Sequence, residues 1–496
     1  MRNSLVGFCD AATGSVAEEE HMNIAAVRSR TKITSPTWLS GLGALLLLAM
    51  GGQPAIAANY SVAAGVAKFD CAVARPGDTI TLAAGARGPL AISNCPGTST
   101  NPITVKNDVS GSGPTVIQQS SGTGAGFVLL CTDCIGVVFD GSGKWAGAPS
   151  ATTYGIKVTM TGGSSPTAFI KVAGKSRFVT IKNVEVDGRW PSLSKDGIGI
   201  SVNDNTVFAA DNPGLWREGI VIANSYVHNI QGEGMYLGPN WPSNGLPLRN
   251  ITIRDNRVED TGWDCIQLKS AISGDNQIHH NVVKRCGKNS DGVSGQHHGI
   301  SLYEGNGKIY NNWVEETGES GIQHYLDKIP SSYGNQTAEI YNNVVVKTGL
   351  TGPLAGHGIT CASNTGGVAL NVSRVYNNTV VAAEGVGIRI GSTAASGLVR
   401  DNIVVDSIGT PISVPSSINN TNNLVSTSAK ALFINAGGRD YRLQASSPAR
   451  NAGSSTYPAV DHDDIRRPQE GAADQGAFEF HSSDVMPMPP ENVVIE

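Results

Sequence analysis

The sequence predicts an all-β solenoid in which short parallel strands wind into stacked coils, a parallel β-helix. Three observations predict it: a doublet ending in asparagine that recurs eight times, a second motif that recurs seven times and opens at glycine in six of them, and a turn-rich composition. Sixty glycines and only 16% charged residues, with Val, Ile, Thr and Asn throughout, do not suit a helical protein. The formal charge of −5 supplies no broad basic surface, which excludes nucleic acid as the expected partner.

In chain order, residues 1–57 read as an export signal. Arg28, Arg30 and Lys32 precede an apolar stretch from Leu42 to Met50, and Ala55-Ile56-Ala57 forms a small-x-small cleavage pattern. The apolar run is shorter than the roughly 20 residues a membrane span needs, so it is expected to be removed and not to anchor the chain. The mature protein is then secreted or periplasmic and begins near Ala58. Met22 is an alternative start, because Glu18-Glu19-Glu20 is foreign to a signal.

Seven cysteines follow. Export permits disulfides, and the expected pairs are Cys71 with Cys95 and Cys265 with Cys286, the second separated by about one coil. Cys131 and Cys134 have zinc-ligand spacing, but no second pair follows at a suitable distance. A structural cysteine pair is the expectation there.

The doublets are Lys182-Asn183, Ala223-Asn224, Asp255-Asn256, His280-Asn281, Asn311-Asn312, Asn342-Asn343, Asn377-Asn378 and Asp401-Asn402, each after a short β-branched run. Their spacing varies from 24 to 41 residues, as expected of one coil with loop insertions of different length. A second apolar strand follows each doublet, and then a third segment. Aligned at its opening position, the third segment reads Gly197-Ile198-Gly199-Ile200, Gly234-Met235-Tyr236-Leu237, Cys265-Ile266-Gln267-Leu268, Gly299-Ile300-Ser301-Leu302, Gly321-Ile322-Gln323-His324, Gly358-Ile359-Thr360-Cys361 and Gly387-Ile388-Arg389-Ile390. The apolar places point into the coil, and Tyr236, Gln267, Ser301, Gln323, Thr360 and Arg389 point out. His324 falls on an inward place and is expected to be a packed histidine.

These repeats resemble those of the pectate-lyase-like right-handed parallel β-helix superfamily, whose members include secreted polysaccharide lyases, some hydrolases and C5 epimerases. The resemblance covers about residues 60 to 480. It implies a right-handed solenoid with an N-terminal cap and a C-terminal capping segment, and a structural role for the stacked asparagines. Residues 72–82 are similar to the element that covers the first coil, and Asp440-Tyr441-Arg442-Leu443 and Asp474-Gln475-Gly476-Ala477-Phe478-Glu479 to the closing segment of such proteins. The expected organisation is a β-helix over 58–430, a cap over 431–480 and a tail over 481–496.

Stacking turns an alignment into a distance, because equivalent residues of successive coils lie about 4.8 Å apart. The residue before each opening position is Asp196, Glu233, Asp264, His298, Ser320, His357 and Val386. Three acids in a ladder repel one another unless water, a proton or a cation relieves them. Calcium suits oxygen ligands at about 2.3 to 2.6 Å, and Asp196, Glu233 and Asp264 are its candidate ligands. The alternative is three solvated acids capping local amides. Lys269, Tyr303 and Tyr325 stand on the outward parity at the fourth place after the opening residue, so Glu233, Asp264, Lys269, His298, Tyr303 and Tyr325 form one patch.

Asp264-Cys265-Ile266-Gln267-Leu268-Lys269-Ser270 resembles the acid-x4-Lys-Ser segment of the alginate lyase and chondroitinase B group, in which the acid binds calcium and the lysine is the base. Gly262 stands where that group has a further acid, and Leu302-Tyr303-Glu304-Gly305 lacks its arginine.

Elimination from a uronic acid needs a neutralised carboxylate, a base, and a proton for the leaving oxygen. Lys269 is the candidate base and Tyr303 or His298 the candidate acid, while Gln267, Tyr325 and Arg389 are candidate substrate-binding residues. One of Trp190, Trp216, Trp241 and Trp263 is expected to stack on a sugar. The expected function is a polysaccharide lyase acting as a monomer on an acidic glycan. The alternatives are a glycoside hydrolase using two ladder carboxylates, a C5 epimerase, and a non-catalytic glycan-binding or adhesin β-helix.

Overall fold

The computed structural model describes residues 57–120, 126–149, 154–162, 166–192, 197–240, 242–289, 293, 295–351, 356–364 and 371–481. The expected signal up to residue 56, Asp196, Trp241 and nearly all of the expected tail lie outside the described residues.

Each coil gives one strand to each of three sheets, of 13, 12 and 12 strands, built of parallel pairs between successive coils. The chain is a right-handed parallel β-helix. The strands before the asparagine doublets form the first sheet, those after them the second, and the glycine-opened segments the third, which is called the groove sheet below.

Period-two alternation sends one apolar column from each sheet inward. Ile222, Ile253, Ile278, Ile309 and Ile340 stack from the first sheet, Val227, Val258, Val283, Val314 and Val345 from the second, and Met235, Ile266, Ile300, Ile322 and Ile359 from the groove sheet. All are fully buried, and each such side chain contributes about 1.5 to 3 kcal/mol relative to exposure. His324 is indeed packed inside, with Nε2 2.9 Å from Gly305 O.

At the corner between the first two sheets, Asn256, Asn281, Asn312, Asn343, Asn378, Asn402 and Asn423 form a ladder, buried from Asn256 to Asn402 and half-buried at Asn423. Each of the first six takes the next amide's Oδ1 as partner for both its own backbone N–H and its Nδ2, at 2.9 to 3.1 Å. Asn183 and Asn224 do not belong to it. The pairing of Ala223 with Arg254 puts Asn224 level with Asp255, so Ser225 fills the ladder position instead and bonds Asn256 Oδ1 through its N–H at 3.0 Å.

The preceding position is a column of its own. Asn183, Asn224, Asp255, His280, Asn311, Asn342, Asn377 and Asp401 all have φ between 48 and 56°, a left-handed conformation that Asn, Asp and His tolerate better than other side-chain residues. Several of these outward side chains hold the C-terminal segment. Asn311 Nδ2 donates to Asp461 O at 3.0 Å, Asn342 Nδ2 to Val460 O at 2.8 Å, and Asp401 Oδ1 accepts from Ser454 N at 3.0 Å.

That segment opens with an antiparallel hairpin, Phe433–Asn435 with Asp440–Leu443, and runs back along the outside of the solenoid. Phe433, Tyr441, Leu443 and Phe478 pack on Trp313, Val344, Val346, Val381 and Ile403 of the second sheet, making a second core. At the other end, residues 72–82 contribute to a short 3-10 turn, Cys71–Val73, and the strand Thr79–Leu82, which pairs on Asn59–Val62.

The expected disulfides Cys71–Cys95 and Cys265–Cys286 are present, Cys131 and Cys134 are also joined, and Cys361 is a buried free thiol. Among the described residues no helix is long and apolar enough to cross a membrane.

Replacing Asn343 with leucine strips partners from the Asn312 N–H, from Ile309 O and Tyr341 O, and from Asn378. The expected loss is on the order of 3 kcal/mol, seen as a lower urea midpoint. An unchanged midpoint contradicts a structural ladder.

Candidate functional site

The outward face of the groove sheet is not open surface. Gly238 turns the chain out of its strand with φ 101°, where a Cβ would meet Lys269 O at 2.0 Å, and the following loop brings Asn240 over Lys269. Gln296 and Asp327 enter from two further loops. Gln267 and Ser301 are each 1% exposed and Lys269 is 6% exposed. Side chains expected to face water are therefore held in a covered groove, where charge is poorly solvated.

The column before the opening residues holds from Glu233 onward. Backbone bonds link Gly234 to Asp264, Cys265 to His298, Gly299 to Ser320 and Gly321 to His357, so those residues stand on successive rungs. The first rung differs. Ile200 pairs with Met235 and Gly199 donates to Glu233 O, so Gly199 and not Gly197 takes the opening place. Ile198 then stands beneath Glu233. Asp196 lies outside the described residues, and of the expected ladder of three acids the described residues hold Glu233 and Asp264 on successive rungs.

Asp264 is fully buried, with Oδ1 accepting His298 N–H at 2.7 Å and Oδ2 accepting Gln267 Nε2 at 2.7 Å. Burial pushes its carboxyl well above the usual range, and Glu233 and Glu319 push the same way. Glu233 is raised to about 7 by burial, against the pull of Lys269.

Lys269 Nζ donates to Asn240 Oδ1 at 3.1 Å and lies 4.4 Å from the Tyr303 ring centre and 5.5 Å from that of Tyr236. Burial lowers its ammonium below the ordinary lysine value, opposed by Glu233, Asp264, Glu304 and Asp327.

Tyr303 stands one rung from Lys269 and Tyr325 one rung further. The Tyr303 hydroxyl donates to Asp327 Oδ2 at 3.0 Å, and Tyr325 OH donates to Asn364 Oδ1 at 2.9 Å, while Asn364 Nδ2 bonds Asp327. Burial and Asp327 hold the Tyr303 phenol far above its ordinary value.

His298 is less available. Its Nδ1 accepts Ser320 N–H at 3.2 Å, so the ring proton sits on Nε2, 3.4 Å from Glu319 Oε2. Burial lowers it to about 4. Nε2 is buried without a hydrogen-bond partner. Gln267 holds Asp264, and Arg389 lies in the same outward column three rungs beyond Ser301, past Gln323 and Thr360.

Asn240, Glu319, Asp327 and Asn364 were not foreseen. All four lie outside the groove-sheet strands, and spacing carries no signal for which segment will cover which rung. Trp216 lies under the Arg249 guanidinium at 5.1 Å and Trp190 under Lys288 at 5.9 Å.

Among the described residues, the three groups whose ligand atoms come within 4.8 Å of one another are Glu185, Asp187 and His228, on the second sheet and not in the groove. Lys157 Nζ lies 2.6 Å from Glu185 Oε1 and 3.9 Å from Asp187 Oδ2, so an ammonium already balances those carboxylates.

No protein-family model and no curated protein matches the sequence. Solved structures do resemble the chain. It aligns over 86% of its length with 96% of the pectate lyase Pel9A at 15% identity and a TM-score of 0.49. It aligns over 75% of its length with 99% of an alginate lyase from Paenibacillus sp. str. FPU-7, at 15% identity and TM-score 0.35. For the A-module of mannuronan C-5 epimerase AlgE6 from Azotobacter vinelandii the values are 71%, 91%, 14% and 0.35.

Glu233 supplies a pH test. Its folded-state value lies above the ordinary 4.5, so between about pH 4.5 and 7 the folded chain binds more protons than the unfolded one, and stability falls as pH rises. Glu233→Gln is expected to abolish this loss, worth on the order of 2 to 3 kcal/mol. Parallel stability profiles for the two proteins across that window rule the assignment out.

Proposed function

We propose that the protein is a polysaccharide lyase that cleaves an acidic, uronate-containing glycan by β-elimination in the groove. The observation that carries this reading is Lys269: a buried amine, lowered by its surroundings, with its nitrogen on Asn240 and beside the Tyr303 ring. A lysine whose ammonium is destabilised by burial gives up its proton more readily than an exposed one and is the better placed to act as a base.

In the proposed step the Lys269 amine takes the proton from the carbon α to the uronate carboxylate. The electron pair released forms a carbon–carbon double bond as the bond from the β carbon to the glycosidic oxygen breaks. That oxygen takes the Tyr303 phenol proton, and Asp327 is placed to orient the hydroxyl. Tyr303 is preferred to His298 because it stands one rung from Lys269 in the same outward column, whereas burial disfavours the protonated His298 imidazole.

The substrate carboxylate meets a site in which Glu233 is pushed toward its neutral form. A carboxyl that keeps its proton donates a hydrogen bond where an ionised one would repel.

The residues present do not fit calcium as this group's partner. Calcium takes six to eight oxygens, whereas both Asp264 oxygens already accept protein hydrogens, and the rung beneath Glu233 is filled by Ile198. The same burial disfavours a hydrolase, since Asp264 has neither exposure nor a free oxygen for water or sugar.

Incubation with polygalacturonate, alginate, glucuronan and glycosaminoglycans is expected to yield, from one of them, products with unsaturated ends that absorb in the near ultraviolet. Lys269→Ala should lower that rate about 10²- to 10⁴-fold. Reducing ends without the absorbance, or turnover indifferent to Lys269→Ala, overturn the proposal. A chelator is expected to leave the rate unchanged, and a loss restored by added calcium contradicts the reading of Asp264.

A further inference from the structure

Lys171 and Arg217 form a second cationic cluster at one end of the same groove. Lys171 pairs with Ser201, Ser201 with Tyr236, and Tyr236 with Gln267, so Lys171 stands three rungs from the catalytic rung in the outward column. At about 4.8 Å per rung that is roughly 14 Å.

Arg217 comes from the loop crossing this end, where Arg217–Glu218 pairs with Leu248–Arg249. It is 0% exposed, and its Nη2 donates to Gly174 O at 2.5 Å. Its Nε and Nη1 are buried without a hydrogen-bond partner, an arrangement native interiors rarely tolerate. Lys171 Nζ has one hydrogen-bond partner, Ser201 Oγ at 3.2 Å, and burial first and the Arg217 guanidinium second lower its ammonium to about 8.

The nearby Asp204 attracts both cations through space, as Asp133 does Arg217, but hydrogen-bonds neither. Its Oδ2 accepts Gly174 N–H at 2.6 Å, and its Oδ1 accepts the N–H and hydroxyl of Thr206 at 2.8 and 2.6 Å. Asn203, one residue earlier, adds a buried Oδ1 without a partner. Two cations, three donors to spare and a spare acceptor suit a group carrying both an anion and hydroxyls.

We propose that Lys171 and Arg217 form a distal subsite that binds the carboxylate of a uronate residue three rungs from Lys269. The inference rests on the lyase reading and extends it. The groove then holds a chain along the solenoid axis with a second charged anchor, and favours long substrates over dimers.

The test compares wild type with Lys171→Met, which keeps the packed stem and removes the charge, on oligogalacturonates and oligomannuronates of two to eight residues. KM is expected to rise roughly ten- to a hundredfold more for hexamers than for dimers, the range for one charge-assisted hydrogen bond. Lys171→Arg should restore most of the difference. An equal change at every length, or none, overturns the subsite while leaving the lyase reading intact. If wild type turns over no uronate, the lyase reading falls, and calorimetric titration of the same oligomers decides the subsite alone. A Kd rise confined to longer chains supports it, and absent or length-independent binding overturns it. If Lys171→Met lowers the melting temperature, Lys171→Arg and the salt dependence of hexamer binding carry the comparison: a salt-insensitive hexamer Kd overturns the subsite.

Discussion

Each asparagine of the corner ladder from Asn281 to Asn402 accepts two hydrogen bonds from the rung on one side and donates to the rung on the other. A side chain that satisfies its neighbour's backbone N–H and amide together fixes axial register, because a slip of one residue would leave both unpaired inside the protein. Register decides which side chains share a rung. Lys269 meets Tyr303, and Glu233 meets Asp264, only because the asparagines and the three aliphatic columns hold successive coils level.

The second constraint is cover. A bare solenoid exposes alternate residues of each strand, and a lysine there would be an ordinary solvated cation. Loops change this. Asn240, Gln296 and Asp327 reach over the groove sheet, and the resulting burial moves Glu233 and Asp264 up and Lys269 down. All three shifts share one leading cause, the poor solvation of charge in the groove, and they push acid and base toward the neutral forms that elimination uses. The C-terminal segment solves a different problem, covering the apolar outside of the second sheet.

Alternation made the strands legible, and the columns from Glu233 and Asn256 onward follow directly from it. The first coils were misaligned for a local reason. Glycine occurs at both 197 and 199, and Asn183 and Asn224 mimic ladder residues while sitting in the adjoining left-handed column, where asparagine is equally welcome. Sequence spacing does not separate these cases; hydrogen-bond pairing does. The patch of Glu233, Asp264, Lys269, His298, Tyr303 and Tyr325 was visible as neighbouring columns. Its chemistry was not, since the partners that set it lie in loops of variable length, and the covering that excludes water has no periodicity.

The account depends on a lysine whose charge is destabilised by its place in the groove. Nitrogen-detected NMR titration of the Lys269 side chain, assigned by its absence in Lys269→Ala, measures this directly. A midpoint well below about 10.4 is the expected result. A midpoint at or above that value would mean an amine protonated throughout the working range, and the groove would then be a binding surface without its base.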